Sequence, residues 1–400
     1  MSDFRTMHVT DYASAYEGAF IRQLRMLDEE IRTRGGRPSS LVLTRKALEQ
    51  PWAETLRRDG WELRELPAGS TRPQRRVAAA IADAARELQP DVMHVHFGTY
   101  DGSARLAVRR LRQALGEDAP RLAWHYRTAL ETTIEERALT RRLKDLLKYG
   151  RAGQDVDRFF AVTHALADEV VARGAAADRT HGIVAGCDTD IFRRDIAIRM
   201  RVRGDLALEP DDVLLLHMGW MWHRKGGDLL AEAMRTLEGS SAPGGGRIVA
   251  CSIGAPEDAV LGSVRRLPMT DRVHEYHQAS DIFISASRSE GFGNGLVEAM
   301  ACENVAIAAT AAGQIETFAN LPGVSPIPVG SSAAIAASVR SLLERRAMWP
   351  ALGAANRAHV LEHHSMRRWA RDMTDAYAAL CPSTLARHDD PAVTGRTEVA

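Results

Sequence analysis

The chain is short of several features that would narrow its function at once. Its four cysteines, Cys187, Cys251, Cys302 and Cys381, stand far apart with no Cys-x-x-Cys pair. That argues against a disulfide framework or a zinc knuckle and suits a reducing compartment. Net charge is absent too: Lys plus Arg and Asp plus Glu both total 52, so no global field gathers nucleic acid or holds the chain on an anionic membrane. No run reaches the roughly 18 apolar residues of a membrane span. The first residues, MSDFRTMHVTDYASAYEG, lack the apolar centre of a signal peptide. A soluble, cytoplasmic protein is expected, with no nucleic-acid partner and at most peripheral membrane contact. No repeat of solenoid length is visible.

What the chain does have is core: 45% hydrophobic content over 400 residues suffices for two or three domains. Short apolar runs alternate with helical patterns, the signature of parallel sheets in α/β domains. The runs are 7–10, 40–44, 61–66, 92–95, 122–125 and 159–162, then 213–217, 247–252, 281–285, 305–309 and 324–328. Between the first two, Phe20, Leu24, Leu27 and Ile31 share one helix face, closed by Gly35 and Gly36. The Arg-rich stretches 72–86 and 137–148 read first as solvated helix faces, and second as a membrane or acceptor patch. A polar segment after residue 190 separates the two series, and the stretch after Ser252 leaves little room for a helix. Met366, Trp369, Met373 and Tyr377 form a last apolar stripe, and the polar residues beyond Pro382 are expected to be disordered.

The chemistry concentrates between Ser289 and Phe318. A buried strand at 281–285 opens into Gly291, Phe292, Gly293, Asn294 and Gly295, after which Leu296, Val297, Met300 and Ala301 recur at helical spacing. Strand, glycine loop and helix N-terminus together aim unpaired N–H groups and the positive end of the helix dipole at an anion, a phosphate by expectation. Glu290 and Glu298 bracket this loop. Acids beside a phosphate have to bind something else, and sugar hydroxyls fit. A second strand-to-helix turn carries Gly219, Trp220, Arg224, Lys225 and Gly226. A lysine there is a ligand for a diphosphate, its point charge stabilising the charge that grows on a leaving group. On the run 92–95, alternation sends His94 and His96 to the same side. Two histidines without a third ligand in sequence do not make a metal site, and none is expected.

These residues resemble the Glu-x7-Glu signature of retaining glycosyltransferases of family four, the group 1 enzymes of GT-B fold. The match runs through Glu290, Gly291 to Gly293, Glu298 to Ala301, and Gly313 to Glu316. It departs at Glu303-Asn304-Val305, where relatives commonly carry Gly-x-Pro, and at Ala185, where Asn is common. The resemblance implies two Rossmann-like parallel-sheet domains facing a deep cleft, with a C-terminal helix that crosses back. The implied parts are an acceptor domain 1–190, a linker 191–209, a donor domain 210–364, a crossover helix 365–382 and a tail 383–400.

By the same resemblance Glu298 holds the ribose of a nucleotide-diphosphate sugar, while Glu290 and the loop amides, with Phe292, Asn294 and Gly295, hold the donor sugar. Gly219 and Lys225 hold the diphosphate. Trp220 stands where the family usually has Arg, and Arg224 is the candidate replacement. Base contacts, largely main chain in this fold, fall near Leu267. In the first domain Gly18 and Ala19 are expected to approach the β-phosphate, with an ordinary helix cap as the rival. Tyr12, Tyr16, Tyr100, Asp101 and Arg127 are expected to face an acceptor. His96 resembles a position that touches sugar or acceptor. Where relatives show His before Thr or Ser, this chain has Arg127, which leaves His125 and Arg127 as alternatives.

The implied reaction is transfer of a sugar from a UDP- or GDP-sugar to a hydroxyl of a carbohydrate, lipid-linked glycan or small molecule. It proceeds with retention, and without a metal or other cofactor, since no Asp-x-Asp ends the relevant strand. A sugar-nucleotide epimerase and a non-catalytic binding protein of the same fold are the rivals.

Overall fold

The computed structural model describes residues 3–130, 138–151 and 153–382. The tail expected at 383–400 and the start of the Arg-rich stretch at 137 lie outside the described residues. The chain forms two units. One comprises residues 1–183 with the chain from Trp369 onward, the other Val184–Arg368.

The first unit is built on seven strands, β1 Thr6–Val9, β2 Ser40–Thr44, β3 Glu62–Leu66, β4 Val92–His96, β5 Arg121–Tyr126, β6 Arg158–Ala161 and β7 Thr180–Gly182. Their order is β3-β2-β1-β4-β5-β6-β7, and every pairing is parallel. A parallel sheet is covered on both faces, so its strands read as continuous apolar runs. β1, β4 and β5 break that rule with histidines. The register sets His8 opposite His94 and His96 opposite His125, so four imidazoles share one face.

Helix Ala19–Thr33 buries Phe20, Ile21, Leu24, Leu27 and Ile31, as the spacing predicts. Helix Met366–Leu380 brings Trp369, Met373 and Tyr377 against Phe4, Leu27, Ile31 and Phe160. Each such side chain contributes about 1.5–3 kcal/mol by leaving water. The stretch from Trp369 to Cys381 is therefore part of the first unit's core.

The second unit has six parallel strands, β8 Val213–Met218, β9 Ile248–Ile253, β10 Arg265–Leu267, β11 Ile282–Ser285, β12 Val305–Ala309 and β13 Val324–Ile327, in the order β10-β9-β8-β11-β12-β13. Between β9 and β10 the described residues form turns and no helix, in keeping with the short stretch after Ser252. The segment 191–209, expected as a linker, instead carries helix Ile196–Asp205 and belongs to the second unit. The cause is electrostatic: Arg203 Nη1 lies 3.0 Å from Asp281 Oδ2, Arg199 pairs with the other oxygen of the same carboxylate, and Arg199 Nη1 donates to Ala279 O at 2.8 Å. Those contacts pin the helix to the start of β11. No helix among the described residues is long and apolar enough to cross a membrane.

Candidate functional site

In the second unit the buried strand β11 ends in a loop shaped by two glycines. Gly293 caps helix Asn294–Ala301 at φ +92°, a left-handed conformation that side chains resist. Gly313 passes so close that a Cβ would stand 2.3 Å from Gly291 O and 2.5 Å from Glu290 O. Gln314 locks the loop's base: its Nε2 donates to Ala309 O at 2.9 Å and to Ser285 O at 3.3 Å, and its Oε1 accepts from Ser285 Oγ. Sequence reasoning missed Gln314, whose only signal was its place after Gly313. Phe292 is buried against His364. Its ring anchors the loop, so its backbone amide is what it can offer a ligand.

The two acids sit in different settings. Glu290 Oε1 accepts from Ser287 Oγ at 2.8 Å and pairs with Lys225 Nζ. The side chains of Lys225 and Glu290 are only 14% and 8% exposed, so the pair is more than a surface contact. Arg288 ties the two loops together, with Nη1 and Nη2 each 2.8 Å from an Asp228 oxygen and its N–H donated to Arg224 O at 2.8 Å. Glu298 is buried in helix Asn294–Ala301, its Oε2 3.6 Å from Nε2 of the fully buried His277. The structure thus joins Glu290 to Lys225, and adds Ser287, Arg288, Asp228 and His277, which no sequence pattern marked.

The Lys225 loop is as tightly specified. A Cβ on Gly219 would meet Ser252 Oγ at 2.3 Å, and one on Gly226, at φ +74°, would meet Ala286 O at 2.2 Å. Gly226→Ala is therefore expected to lower unfolding stability by about 2–5 kcal/mol, combining left-handed strain with a backbone clash. A loss below about 1 kcal/mol in urea unfolding would contradict this geometry. Trp220 is exposed, and Arg224 Cζ and Lys225 Nζ each lie 5.6 Å from its ring centroid. The indole thus gathers both cations by cation–π attraction where a third would repel them. Leu267 is buried at the end of β10, its carbonyl accepting from Gly254 N–H at 2.9 Å.

Beneath this loop lies His217, with Nε2 3.0 Å from Lys225 O and Nδ1 2.9 Å from Ser252 Oγ. A carbonyl only accepts, so Nε2 carries the proton and Nδ1 accepts from the serine. Burial, opposed by the hydrogen bond to Lys225 O, reinforced by the Lys225 charge and opposed again by Asp228, lowers its pKa to about 4. The folded state keeps this imidazole neutral, whereas the unfolded chain protonates it below about 6.5. Its contribution to stability is complete above about 6.5 and is lost as pH falls toward 4. The expected loss is about 2 kcal/mol at pH 5. His364, held near 3 chiefly by burial, adds a loss of the same sign. Urea unfolding at pH 7 and pH 5 checks this, and His217→Gln should recover about 2 kcal/mol of the difference; an identical drop in that variant would contradict it.

The first unit corrects several expectations. Gly18 caps helix Ala19–Thr33 at φ −73°, so its role is to leave room: a Cβ would stand 2.5 Å from Tyr12 Oη. Its N–H already donates to Tyr16 O at 2.9 Å and to Tyr12 Oη at 3.1 Å, and Tyr12 Oη donates to Tyr16 O at 3.2 Å. That amide is engaged by its own loop, contrary to the expectation that it is open to a phosphate. Ala19 is the first helical residue. Tyr100 is fully buried, its hydroxyl 3.3 Å from Pro67 O, and the buried Asp101 pairs with Lys148 Nζ at 3.1 Å. Both support the fold and do not face an acceptor. Burial, with Lys148 opposing, raises the Asp101 pKa.

His96 and His125 are also in the interior. His96 Nε2 is 3.1 Å from His8 Nδ1, His125 Nδ1 is 3.1 Å from His94 Nε2, and His94 Nδ1 contacts Tyr377 Oη. His8 is the third imidazole that the sequence did not offer beside His94 and His96. Burial lowers the pKa of all four, and the positive Arg127 pushes the same way. Arg127 retains some exposure.

Two family models match the chain, one described as glycosyl transferases group 1 over residues 212–345 and one as glycosyltransferase family 4 over residues 25–191. The D-inositol 3-phosphate glycosyltransferase 1 of Catenulispora acidiphila is 30% identical over 235 residues, 54% of each chain. The chain spans about half the length of the curated relatives it matches. Among solved structures, a glycosyltransferase from Rickettsia africae superposes with a TM-score of 0.77 at 14% identity, covering 95% of this chain and 99% of that one. HepE of Anabaena, solved with UDP-glucose, gives 0.73 at 15% identity, covering 94% and 99%. At such identities the likeness shows the fold, which is GT-B.

Proposed function

The chain belongs to the group 1, family 4 glycosyltransferases, and from that premise we propose that it transfers a sugar from a nucleotide-diphosphate sugar to a hydroxyl acceptor, with retention and without a metal ion. The observation that carries this reading is the Lys225–Glu290 pair beside the N-terminus of helix Asn294–Ala301. Lys225 and the helix amides neutralise the departing diphosphate, with Arg224 in support from its place on Trp220. Glu290 orients the hydroxyls of the donor sugar, and Glu298 holds the ribose. When the donor enters, its phosphate competes with Glu290 for the ammonium, and the carboxylate turns to the sugar.

The acceptor oxygen bonds to the anomeric carbon on the face from which the diphosphate leaves, and a departing phosphate oxygen takes the acceptor proton. Stabilising that leaving group supplies most of the rate. The cytoplasm, where nucleotide sugars are available, is the proposed compartment.

Incubation with a panel of UDP- and GDP-sugars tests the proposal. UDP or GDP should appear only when an acceptor is present, the rate should survive EDTA, and the product should keep the donor's anomeric configuration by NMR. Isomerisation of the donor without nucleotide release would point to an epimerase and sink the proposal.

A further inference from the structure

Arg127 is a cation out of place. It follows β5 in the first unit, with its guanidinium carbon 4.9 Å from the Phe20 ring centroid and 5.6 Å from that of Trp369. Nη2 donates to Gln23 Oε1. Nη1 is out of contact with solvent and has no acceptor, and the same is true of Trp369 Nε1. Both are obligate donors. Among the described residues no carboxylate pairs with Arg127. Burial lowers its pKa to about 9, opposed by the nearby Tyr377 hydroxyl. A guanidinium largely withdrawn from water without a counter-ion is costly and is normally paired, so the orphaned Nη1 of this charge calls for an acceptor-rich, negatively charged partner.

The neighbouring histidines sharpen the sign. One ring nitrogen from each of His8, His94 and His96 lies within 4.8 Å of the other two, a spacing that suits a divalent ion. Arg127, however, acts on all three, and no carboxylate or thiolate stands in that group to offset a further positive charge. The field at this end of the sheet favours an anion over a cation.

We infer that Arg127 is the anchor for an anionic oxygen group, a phosphate monoester or a carboxylate, carried by the acceptor. The inference rests on reading the first unit as the acceptor-binding half. Arg127 keeps partial exposure, so such a group can approach it and accept hydrogen bonds of about 2.8 Å from the donors of its guanidinium. Specificity then follows from the cost of leaving those donors unpaired: an uncharged acceptor is disfavoured because it leaves the cation as it stands.

The test uses inorganic phosphate and acetate as probes, titrated into the full chain at constant ionic strength with UDP saturating, so that any diphosphate site in the second unit is blocked. Melting temperature is the readout. At least one of the two ions should raise it with a saturable dose response, and which one does so distinguishes phosphate from carboxylate. Arg127→Gln should weaken that response about 10- to 100-fold, and Arg127→Lys, which keeps the charge, should retain most of it and controls for the fold. A wild-type protein indifferent to both ions, or an Arg127→Gln response equal to wild type, would overturn the inference. UDP binding, measured separately on the same proteins, reports on the donor reading alone, so its failure is distinguishable from failure of the anion anchor.

Discussion

Lys225→Met will lower kcat/KM for sugar transfer by about 10²- to 10³-fold. Among the described residues the ammonium is the one formal charge paired with Glu290. A group that stabilises charge developing on a leaving group acts more strongly in the transition state than in the ground state, so its loss falls on turnover. The same change strips Glu290, whose side chain is 8% exposed, of its counter-ion. Breaking a largely buried pair from one side costs about 3–5 kcal/mol, and the residual exposure reduces this to roughly 2–4. Removing both charges separates the two effects: Lys225→Met with Glu290→Gln should regain most of the stability in urea unfolding and none of the turnover. A single variant that keeps more than a tenth of wild-type UDP release would mean that the diphosphate is neutralised elsewhere, with Arg224 the next residue to replace.

Glu298→Gln will weaken UDP binding about 10- to 100-fold, because a hydrogen bond to a charged acceptor is worth about 1.5–3 kcal/mol. The carboxylate is buried beside His277 on a helix whose Leu296, Val297, Ala299 and Met300 are fully buried, so it is held in place before a ligand arrives. A comparison with 2′-deoxy-UDP makes the assignment specific. Wild type should prefer UDP by about tenfold or more, and the variant should bind the two alike. Calorimetry that found the preference intact in Glu298→Gln would remove Glu298 from the ribose.

Much of this arrangement was legible in the sequence because it depends on local patterns. The strands before the Glu290 and Lys225 loops are mostly apolar runs, and Gly293 and Gly226 sit where left-handed backbone is needed. What stayed hidden depends on pairing between distant segments. Alternation places His94 and His96 on one face, but only the β1–β4 register brings His8 opposite them, and strand order is not written in any one strand. Tyr100 and Asp101 looked like ligand contacts because they follow a strand end. Pro67 and Lys148, 33 and 47 residues away, claim them instead. The expected linker failed for a related reason: Asp281, far along the chain, turns an Arg-rich polar stretch into a docked helix.

One consequence of the returning segment concerns biosynthesis. Trp369, Met373 and Tyr377 pack on Phe4 and Leu27, so the amino-terminal half leaves the ribosome with an open hydrophobic seam that stays open until the whole second sheet has been translated. Contacts between such remote positions close slowly and leave a sticky intermediate in the meantime. The yield of native protein in cells should therefore be governed by chaperone supply during elongation more than by the stability of the finished molecule.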